Sequence, residues 1–389
     1  MIDLGAKLQR IRDKNEKIRI MIIGLGSVGN YLLDYLMSSS MEDIDIVVAG
    51  RDCDKMEKDV NIVKISSLIR GQNRTNVSIE SGVDLNDIQS VSSCIKRYDP
   101  DIIVNSSRAY TGLKYGSISW KNVRAYGIWA PLSIKFVKNI MEAVDDAKSN
   151  AIVINTSYSD AVIPWLRSAG RSYPDFGSGN VNHLIPRIKY AIAEIKGIED
   201  YWNIDVTYAV SHFHDVVISK EGQTEGLDQL IVAKYGGKRI DIDYNEVFSR
   251  CSIPMPTDAK RNMMNASSNY EIIKGIIESA KGGKKVKLHI PGAFGELGGY
   301  PVILDGSKDI ITVCLDESEF SIDDMRRVNA RSIYFDGIEK VDGGVLTYTD
   351  ELITKAKKAF GVDLPKDVPF DEIDRTAQFI IDEIIMKNI

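Results

Sequence analysis

The chain has 389 residues, of which 44% are hydrophobic and 27% charged, and its formal net charge is −6. These values are typical of a globular protein with two domains or one large one, and they give no general preference for nucleic acid or anionic membranes. The four cysteines are scattered without a Cys-x-x-Cys pair, which favours a reducing compartment. No apolar run reaches the ~18–20 residues of a membrane span, and the charged first 17 residues do not resemble a secretory signal. We therefore expect a cytoplasmic protein.

The most informative segment lies close to the amino end. An apolar run at 18–23 leads into a Gly-x-Gly-x-x-Gly turn, and an amphipathic pattern follows at once. In such a turn Gly24 permits the tight bend, Gly26 lets a pyrophosphate approach the backbone, and Gly29 lets the helix pack on the strand. The phosphates would then bind the free amide groups at the start of the helix. The residues predicted to bind a dinucleotide here are Gly24, Gly26, Ser27, Val28 and Gly29.

Strand and helix patterns alternate through the first 160 residues. Strands are predicted at 45–49, 60–64, 76–79, 101–105 and 151–155, helices at 84–97 and 129–148, and a long polar loop at 106–123. This alternation predicts a Rossmann-type doubly wound parallel sheet with helices on both faces. Ligands of such sheets bind at the carboxyl ends of the strands, where Gly24, Gly50, Ser106 and Asn155 fall.

The pattern changes after about residue 160. Helices are predicted at 182–196 and 258–281, strands at 203–210, 285–290, 300–304 and 309–315, and a hairpin with an Asp-Gly turn at 338–348. These mixed elements predict a second, α+β substrate domain. The predicted units are a helical extension (1–18), the Rossmann domain (19–160), the substrate domain (161–335) and a C-terminal extension (336–389).

The end of the second strand bears on the choice of dinucleotide. Many NAD sites carry an acidic residue there, which binds the ribose 2′-hydroxyl, but here Gly50 takes that position and Arg51 follows. A guanidinium can pair with a 2′-phosphate, and no carboxylate would repel it. We therefore predict NADP rather than NAD. The alternative is that Arg51 is a solvated turn residue and that Asp52 or Asp54 binds the hydroxyl.

Several later fragments, taken in order, resemble the lactate/malate dehydrogenase family. They are the Asn segment 153–160, the Gly-Ser-Gly at 177–179, the helix segment 186–194, Val-Ser-His at 210–212, the Gly-Ala-Phe-Gly at 292–295, and the strands 300–304 and 311–315. Their shared order and spacing carry the resemblance, which spans about residues 19–335.

The resemblance implies hydride transfer between a nicotinamide cofactor and a small 2-hydroxy or 2-oxo acid, in a homodimer or homotetramer. It assigns His212 as the acid/base, Arg187 as the carboxylate-binding group and Arg124 as the group that polarises the carbonyl. Asn155 would touch both substrate and cofactor. These roles suit the chemistry, because a developing alkoxide needs a proton donor and a carboxylate needs a fork of donors.

Structural alternatives exist for each of these residues. His212 and His214 would point the same way on a strand, and either could be a hydrogen-bonded structural histidine. Arg187 could be a surface ion-pair partner on its helix, and Asn155 could cap the turn that follows it. The loop before Arg124 is longer than the family's, so the polarising group could instead be one of Arg108, Lys114 and Lys121.

One departure from the family is chemically important. The family orients its histidine with an aspartate three residues before the arginine, but Leu184 stands there in this chain. Since leucine cannot stabilise an imidazolium, either another carboxylate replaces the aspartate or the chemistry differs. The replacements considered are Asp160, Asp215 and Glu296.

Two other functions therefore stay open. One is an NAD- and metal-dependent hydrolase like the family 4 glycosidases, in which His183, His212 and His214 could offer imidazole ligands. No cysteine lies near residue 183, where those enzymes place a metal-ligating thiol, so no metal is predicted. The other is a cofactor-binding protein without dehydrogenase activity. No partner beyond the small substrate and further copies of the chain is expected.

Overall fold

The computed structural model describes residues 3–39, 44–110 and 112–388, without the side chains of residues 113, 114, 117 and 180. Six strands of the first half form one sheet in the order β3-β2-β1-β4-β5-β6, and all their pairings are parallel. The strands are β1 (Ile18–Ile23), β2 (Ile44–Ala49), β3 (Asn76–Glu80), β4 (Ile102–Asn105), β5 (Ile152–Asn155) and β6 (Phe176–Gly177).

Helices cover both faces of this sheet. They are α1 (Leu4–Asp13), α2 (Ser27–Ser38), α3 (Cys53–Arg70), α4 (Ile88–Tyr98), α5 (Gly112–Asn122), α6 (Ala130–Asp146) and α7 (Ser159–Ser168). Alternate residues of each strand enter different cores: Met21 and Ile23 pack with α4, α6 and α7, whereas Ile20 and Ile22 pack with α2. Because both faces of the central strands are buried, those strands are mainly apolar, whereas the edge strand β3 is partly exposed and more polar. The predicted doubly wound parallel sheet is confirmed.

The second half adds two antiparallel sheets. Their strands are β7 (Asp205–Ala209), β8 (Leu230–Tyr235) and β9 (Lys238–Arg239) in one, and β10 (Lys285–Pro291), β11 (Gly299–Asp305) and β12 (Thr312–Leu315) in the other. The accompanying helices are α8 (Asn180–Lys196), α9 (His212–Glu221), α10 (Tyr244–Arg250), α11 (Asn262–Ala280) and α12 (Ile322–Phe335). A second α+β region, as predicted, therefore follows the parallel sheet.

The C-terminal segment packs onto the first half. Its elements are β13 (Ile338–Asp342), β14 (Val345–Tyr348), α13 (Asp350–Phe360), β15 (Asp367–Pro369), α14 (Ile373–Phe379), a π-helical turn (Ile380–Ile385) and α15 (Met386–Asn388). The three strands form an antiparallel sheet that includes the predicted hairpin. Leu346, Tyr348 and Ile384 are fully buried in the same core as α6 and α7. The segment is thus part of the core of the protein.

Three local predictions were wrong. Residues 60–64 belong to α3, and the loop predicted at 106–123 contains α5. His212 and His214 begin α9 and do not lie on a strand, so they do not point the same way. In the part of the chain that the structure describes, no helix is both long and apolar enough to cross a bilayer.

Candidate active site

A cavity of about 1110 Å³ opens at the carboxyl ends of the parallel strands. One end is lined by the turn between β1 and α2 and by the residues that follow β2. The other end is lined by α8 and α9. The start of α11 also lines the cavity and lies against the glycine turn, where the Asn262 amide donates to Ser27 Oγ. The cavity therefore joins the parallel sheet to the second region, at the place where ligands of such sheets bind.

The glycine turn leaves space at its centre. A Cβ atom on Gly26 would meet no protein atom within 4 Å, whereas one on Gly29 would lie 2.3 Å from the Gly24 carbonyl oxygen. Gly24 has a φ of 90°, which favours glycine. No side chain in the described chain caps the start of α2. Gly24, Gly26, Ser27 and Val28 line the cavity, and Gly29 serves the close packing of α2 on the turn.

Gly50 and Arg51 line the same end of the cavity, just beyond β2. Asp52 also lines it, but its carboxylate accepts a hydrogen bond from the Lys55 amide at 3.0 Å and caps α3. Asp54 lies outside the lining. Arg51 is exposed, so its guanidinium can reach a ligand there.

At the other end, the His212 imidazole is held on several sides. Its Nδ1 donates to Asp336 Oδ2 at 2.7 Å, and its backbone amide donates to Asp160 Oδ2 at 2.9 Å. The rings of Tyr126 and Tyr158 pack edge-on against the imidazole, with centroid distances of 4.8 and 5.0 Å. Since Nδ1 is bound by a carboxylate, Nε2 is the nitrogen left to exchange a proton in the cavity.

Asp336 is the carboxylate that orients His212. It is fully buried and also accepts hydrogen bonds of 2.7 Å from the Tyr158 hydroxyl and the Tyr126 amide. Burial alone would lower the pKa of His212, but the charge and hydrogen bond of Asp336 outweigh it and raise that pKa. Asp336 directly follows α12 and is the first residue of the predicted C-terminal extension. No sequence motif indicated this role.

The three carboxylates considered from the sequence have other positions. Asp160 binds the His212 backbone, and its burial raises its pKa to about 6. Glu296 pairs with Arg167 and Arg326, away from the cavity. Asp215 lines the cavity, and its Oδ1 has no hydrogen-bond partner among the described residues. Leu184, at the family's aspartate position, is fully buried in an apolar core.

Arg187 projects from α8 into the same end of the cavity and is only 5% exposed. Its Nη1 donates to the Cys251 carbonyl oxygen at 2.9 Å, and its Nη2 lies 3.1 Å from Met255 Sδ. The surface ion-pair alternative is therefore wrong. Asp215 lines the same cavity, and the charges of His212 and Arg187 lower its pKa against the larger, opposite effect of burial.

Two other predicted residues lie outside the cavity lining. The Arg124 guanidinium forms ion pairs with Glu221 and Glu225. Asn155 is fully buried, and its amide donates to Ser157 and Ser159 at 3.0 Å, as a residue that caps its own turn would.

Other cations line the cavity. Arg261, just before α11, lines the cavity and interacts with Asp215, as Arg187 does. Arg108, one of the alternatives to Arg124, also lines the cavity, while Lys121 does not. The side chain of Lys114 lies outside the described part of the chain. Sequence reasoning missed Arg261, because no local motif surrounds it.

His214 has a structural environment. Its ring nitrogens bond Ser332 Oγ at 2.6 Å and the Thr224 carbonyl at 3.1 Å, and it does not line the cavity. Within residues 3–39, 44–110 and 112–388, no group of three or more His, Cys, Asp or Glu side chains is arranged to hold a metal ion.

Comparison with known proteins defines the class of fold. No protein-family model and no curated protein matches the chain. Lactate dehydrogenase from Eimeria maxima, solved with NADH and oxamate, matches with a TM-score of 0.53 and 13% identity, over 82% of this chain and 92% of its own. Malate dehydrogenase from Plasmodium falciparum matches with a TM-score of 0.52 and 15% identity, over 88% and 99%.

Malate dehydrogenase from Aeropyrum pernix matches with a TM-score of 0.51 and 13% identity, over 81% of this chain and 95% of its own. The protein thus has a dinucleotide-binding type of sheet joined to a second α+β region. More particularly, it has the fold of the lactate and malate dehydrogenases, as the sequence resemblance implied. At these identities the similarity establishes the fold and not the reaction.

Proposed function

We propose that the protein is an NAD(P)-dependent oxidoreductase that transfers a hydride between a nicotinamide cofactor and a small 2-hydroxy or 2-oxo carboxylic acid. One observation carries this proposal: His212, oriented by Asp336, and Arg187 line the same cavity as the glycine turn. An acid/base and a carboxylate-binding group are the two functions that this reaction asks of protein side chains.

The turn after β1 suits a dinucleotide. The open space at Gly26 and the uncapped start of α2 suit a pyrophosphate, which amide groups at a helix start bind well. Arg51 would pair with a 2′-phosphate, which favours NADP over NAD. A bound nicotinamide supplies the donor or acceptor of the hydride.

His212 would move the proton. In the oxidation direction its Nε2 takes the proton of the substrate hydroxyl as the hydride leaves the same carbon, and in reduction it returns the proton to the carbonyl oxygen. Asp336 fixes the tautomer in which Nε2 carries the free lone pair and stabilises the imidazolium that forms. The tyrosine rings on either side keep the imidazole in one orientation and exclude water from it.

Arg187 would bind the substrate carboxylate through the guanidinium hydrogens that Cys251 and Met255 leave free. We assign the polarisation of the carbonyl oxygen to Arg261, because Arg261 lines the cavity and Arg124 is held by two glutamates. A cation near that oxygen stabilises the charge that develops on it.

The test is a turnover assay of purified protein with a panel of 2-oxo acids and with NADH and NADPH separately. His212→Asn should lower turnover by a factor of about 10² or more, because it removes the proton donor. His214→Asn is the matched control and should keep turnover, since His214 lies outside the cavity. Equal loss in both variants, or no loss in His212→Asn, would refute the assignment.

A further inference from the structure

The cavity contains unpartnered polar atoms, and the proposed reaction leaves all but those of Arg187 unused. Eight buried side-chain nitrogen or oxygen atoms of the described residues have no hydrogen-bond partner. Four of them belong to residues of α8 and α9 that line the cavity: His183 Nε2, Arg187 Nε, Asp215 Oδ1 and Ser219 Oγ.

These four residues form one surface. His183 and Arg187 are four residues apart on α8, and Asp215 and Ser219 are four apart on α9, so each pair lies on one face of its helix. A buried polar atom without a partner costs about 1–3 kcal/mol, so a face with several such atoms is expected to bind a polar ligand. Arg187 and Asp215 are 5% and 3% exposed, which shows that the surface is built into the fold.

The hydrogen-bonding character of the surface is mixed. Arg187 Nε can only donate, and Ser219 Oγ can donate or accept. Burial lowers the pKa of His183 to about 3, so the ring is neutral. Because its Nε2 has no partner, the hydrogen bond with the Met264 backbone falls to Nδ1, which leaves Nε2 as an acceptor. Burial raises the pKa of Asp215 to about 8, so at neutral pH its carboxyl group both donates and accepts.

This mixture selects among ligand groups. A phosphate or second carboxylate offers only acceptors and would face the lone pair of His183 Nε2. An ammonium group offers only donors and would lie beside the cations Arg187 and Arg261, both of which interact with Asp215. A hydroxyl group donates and accepts, carries no charge, and fits every atom of the surface.

We propose that His183, Asp215 and Ser219, on the same surface as the carboxylate-binding Arg187, form a subsite for substrate hydroxyl groups beyond the one that is oxidised. The substrate class is then a 2-hydroxy acid with further hydroxyl groups on the adjoining carbons, as in a polyhydroxy acid. This inference rests on the proposed function, which it makes more specific.

The test measures binding separately from turnover. The protein is saturated with NADPH and titrated by calorimetry with 2,3-dihydroxybutanoate and with 2-hydroxybutanoate, which differ by one hydroxyl group. Because cofactor and acid are both reduced, no hydride transfer takes place. The dihydroxy acid should bind about tenfold more tightly, because its additional hydroxyl group supplies hydrogen-bond partners to buried polar atoms that otherwise have none.

Two substitutions test whether the subsite residues cause the difference in affinity between the two acids. Ser219→Ala and Asp215→Ala should each reduce the preference for the dihydroxy acid several-fold, and Ser249→Ala, an exposed serine outside the cavity, should keep it. Equal affinity for the two acids, no measurable binding of either, or an unchanged preference in both subsite variants would overturn the proposal.

Turnover with NADP or NAD is measured in parallel. Hydroxyl-dependent binding without oxidation of either acid would refute the proposed reaction and leave the subsite intact. Oxidation of both acids with equal affinity would refute the subsite alone.

Discussion

Replacement of Asp336 by asparagine tests the most specific feature of the site. The carboxylate of Asp336 accepts hydrogen bonds from His212 Nδ1, the Tyr158 hydroxyl and the Tyr126 amide, each of 2.7 Å. In Asp336→Asn the side-chain oxygen can keep the Tyr126 amide, but the new NH₂ group then faces His212 Nδ1. The imidazole must take the tautomer in which Nε2 carries the hydrogen, and it can no longer accept a proton from the substrate.

The expected loss of activity follows from the loss of the reactive tautomer of His212 and of the negative charge of Asp336. Removal of an orienting carboxylate in this way lowers turnover about 10⁴-fold in other acid–base pairs. We expect a fall of about 10³- to 10⁴-fold in kcat for the oxidation of a 2-hydroxy acid, or about 4–5 kcal/mol. Oxidation requires neutral His212, and loss of Asp336 lowers the pKa of His212, so the acid limb of the pH profile should move to lower pH.

The assay is steady-state oxidation over a range of pH, with the cofactor Kd and Tm measured on the same samples. The cofactor Kd should be unchanged, because the glycine turn lies at the other end of the cavity. Glu296→Gln is the matched control, since it removes a carboxylate outside the cavity and should keep full activity. A folded Asp336→Asn protein with turnover within about threefold of the wild type would refute the role of Asp336.

Three further predictions concern charged groups of the cavity. Arg51→Ala should raise the KM for NADP at least about tenfold and leave the KM for NAD nearly unchanged. Lys64→Ala, at another exposed cation, should change neither value, and an unaltered ratio of the two KM values in Arg51→Ala would refute the NADP preference. Arg261→Ala should lower kcat/KM about 100-fold and Arg124→Ala less than about threefold, and the reverse order would assign the polarising role to Arg124. Burial raises the pKa of Asp215 from 3.8 to about 8, so the wild type should lose stability as pH rises through this window. The Tm advantage of Asp215→Asn should therefore grow with pH across that window, and a constant difference would contradict the assignment.

The parallel sheet could be predicted because its strands have a simple pattern. The central strands are buried on both faces, so apolar runs such as 18–23 indicate them directly. Residues 60–64 were assigned wrongly because α3 has apolar residues on both faces. Val60 and Val63 are buried, but Ile62 and Ile65 are 64% and 55% exposed, which conceals the helical period.

The site was only partly predictable. The order of short motifs pointed to His212 and Arg187, and both line the cavity, while their roles stay proposals. Asp336 could not be predicted, because 124 residues separate it from His212 and only the packing of the chain brings them together. Arg261 could not be predicted either, because only the packing of α11 brings it to the cavity. The domain boundaries, the cytoplasmic location and the homodimer or homotetramer stay predictions.

The most direct test of the proposed function is a crystal structure of the protein with NADPH and oxamate, an unreactive analogue of a 2-oxo acid. We predict that C4 of the nicotinamide lies beside the analogue, that His212 Nε2 bonds its carbonyl oxygen, and that Arg187 binds its carboxylate. A nicotinamide bound outside the cavity, or an analogue that touches neither His212 nor Arg187, would contradict the proposed reaction.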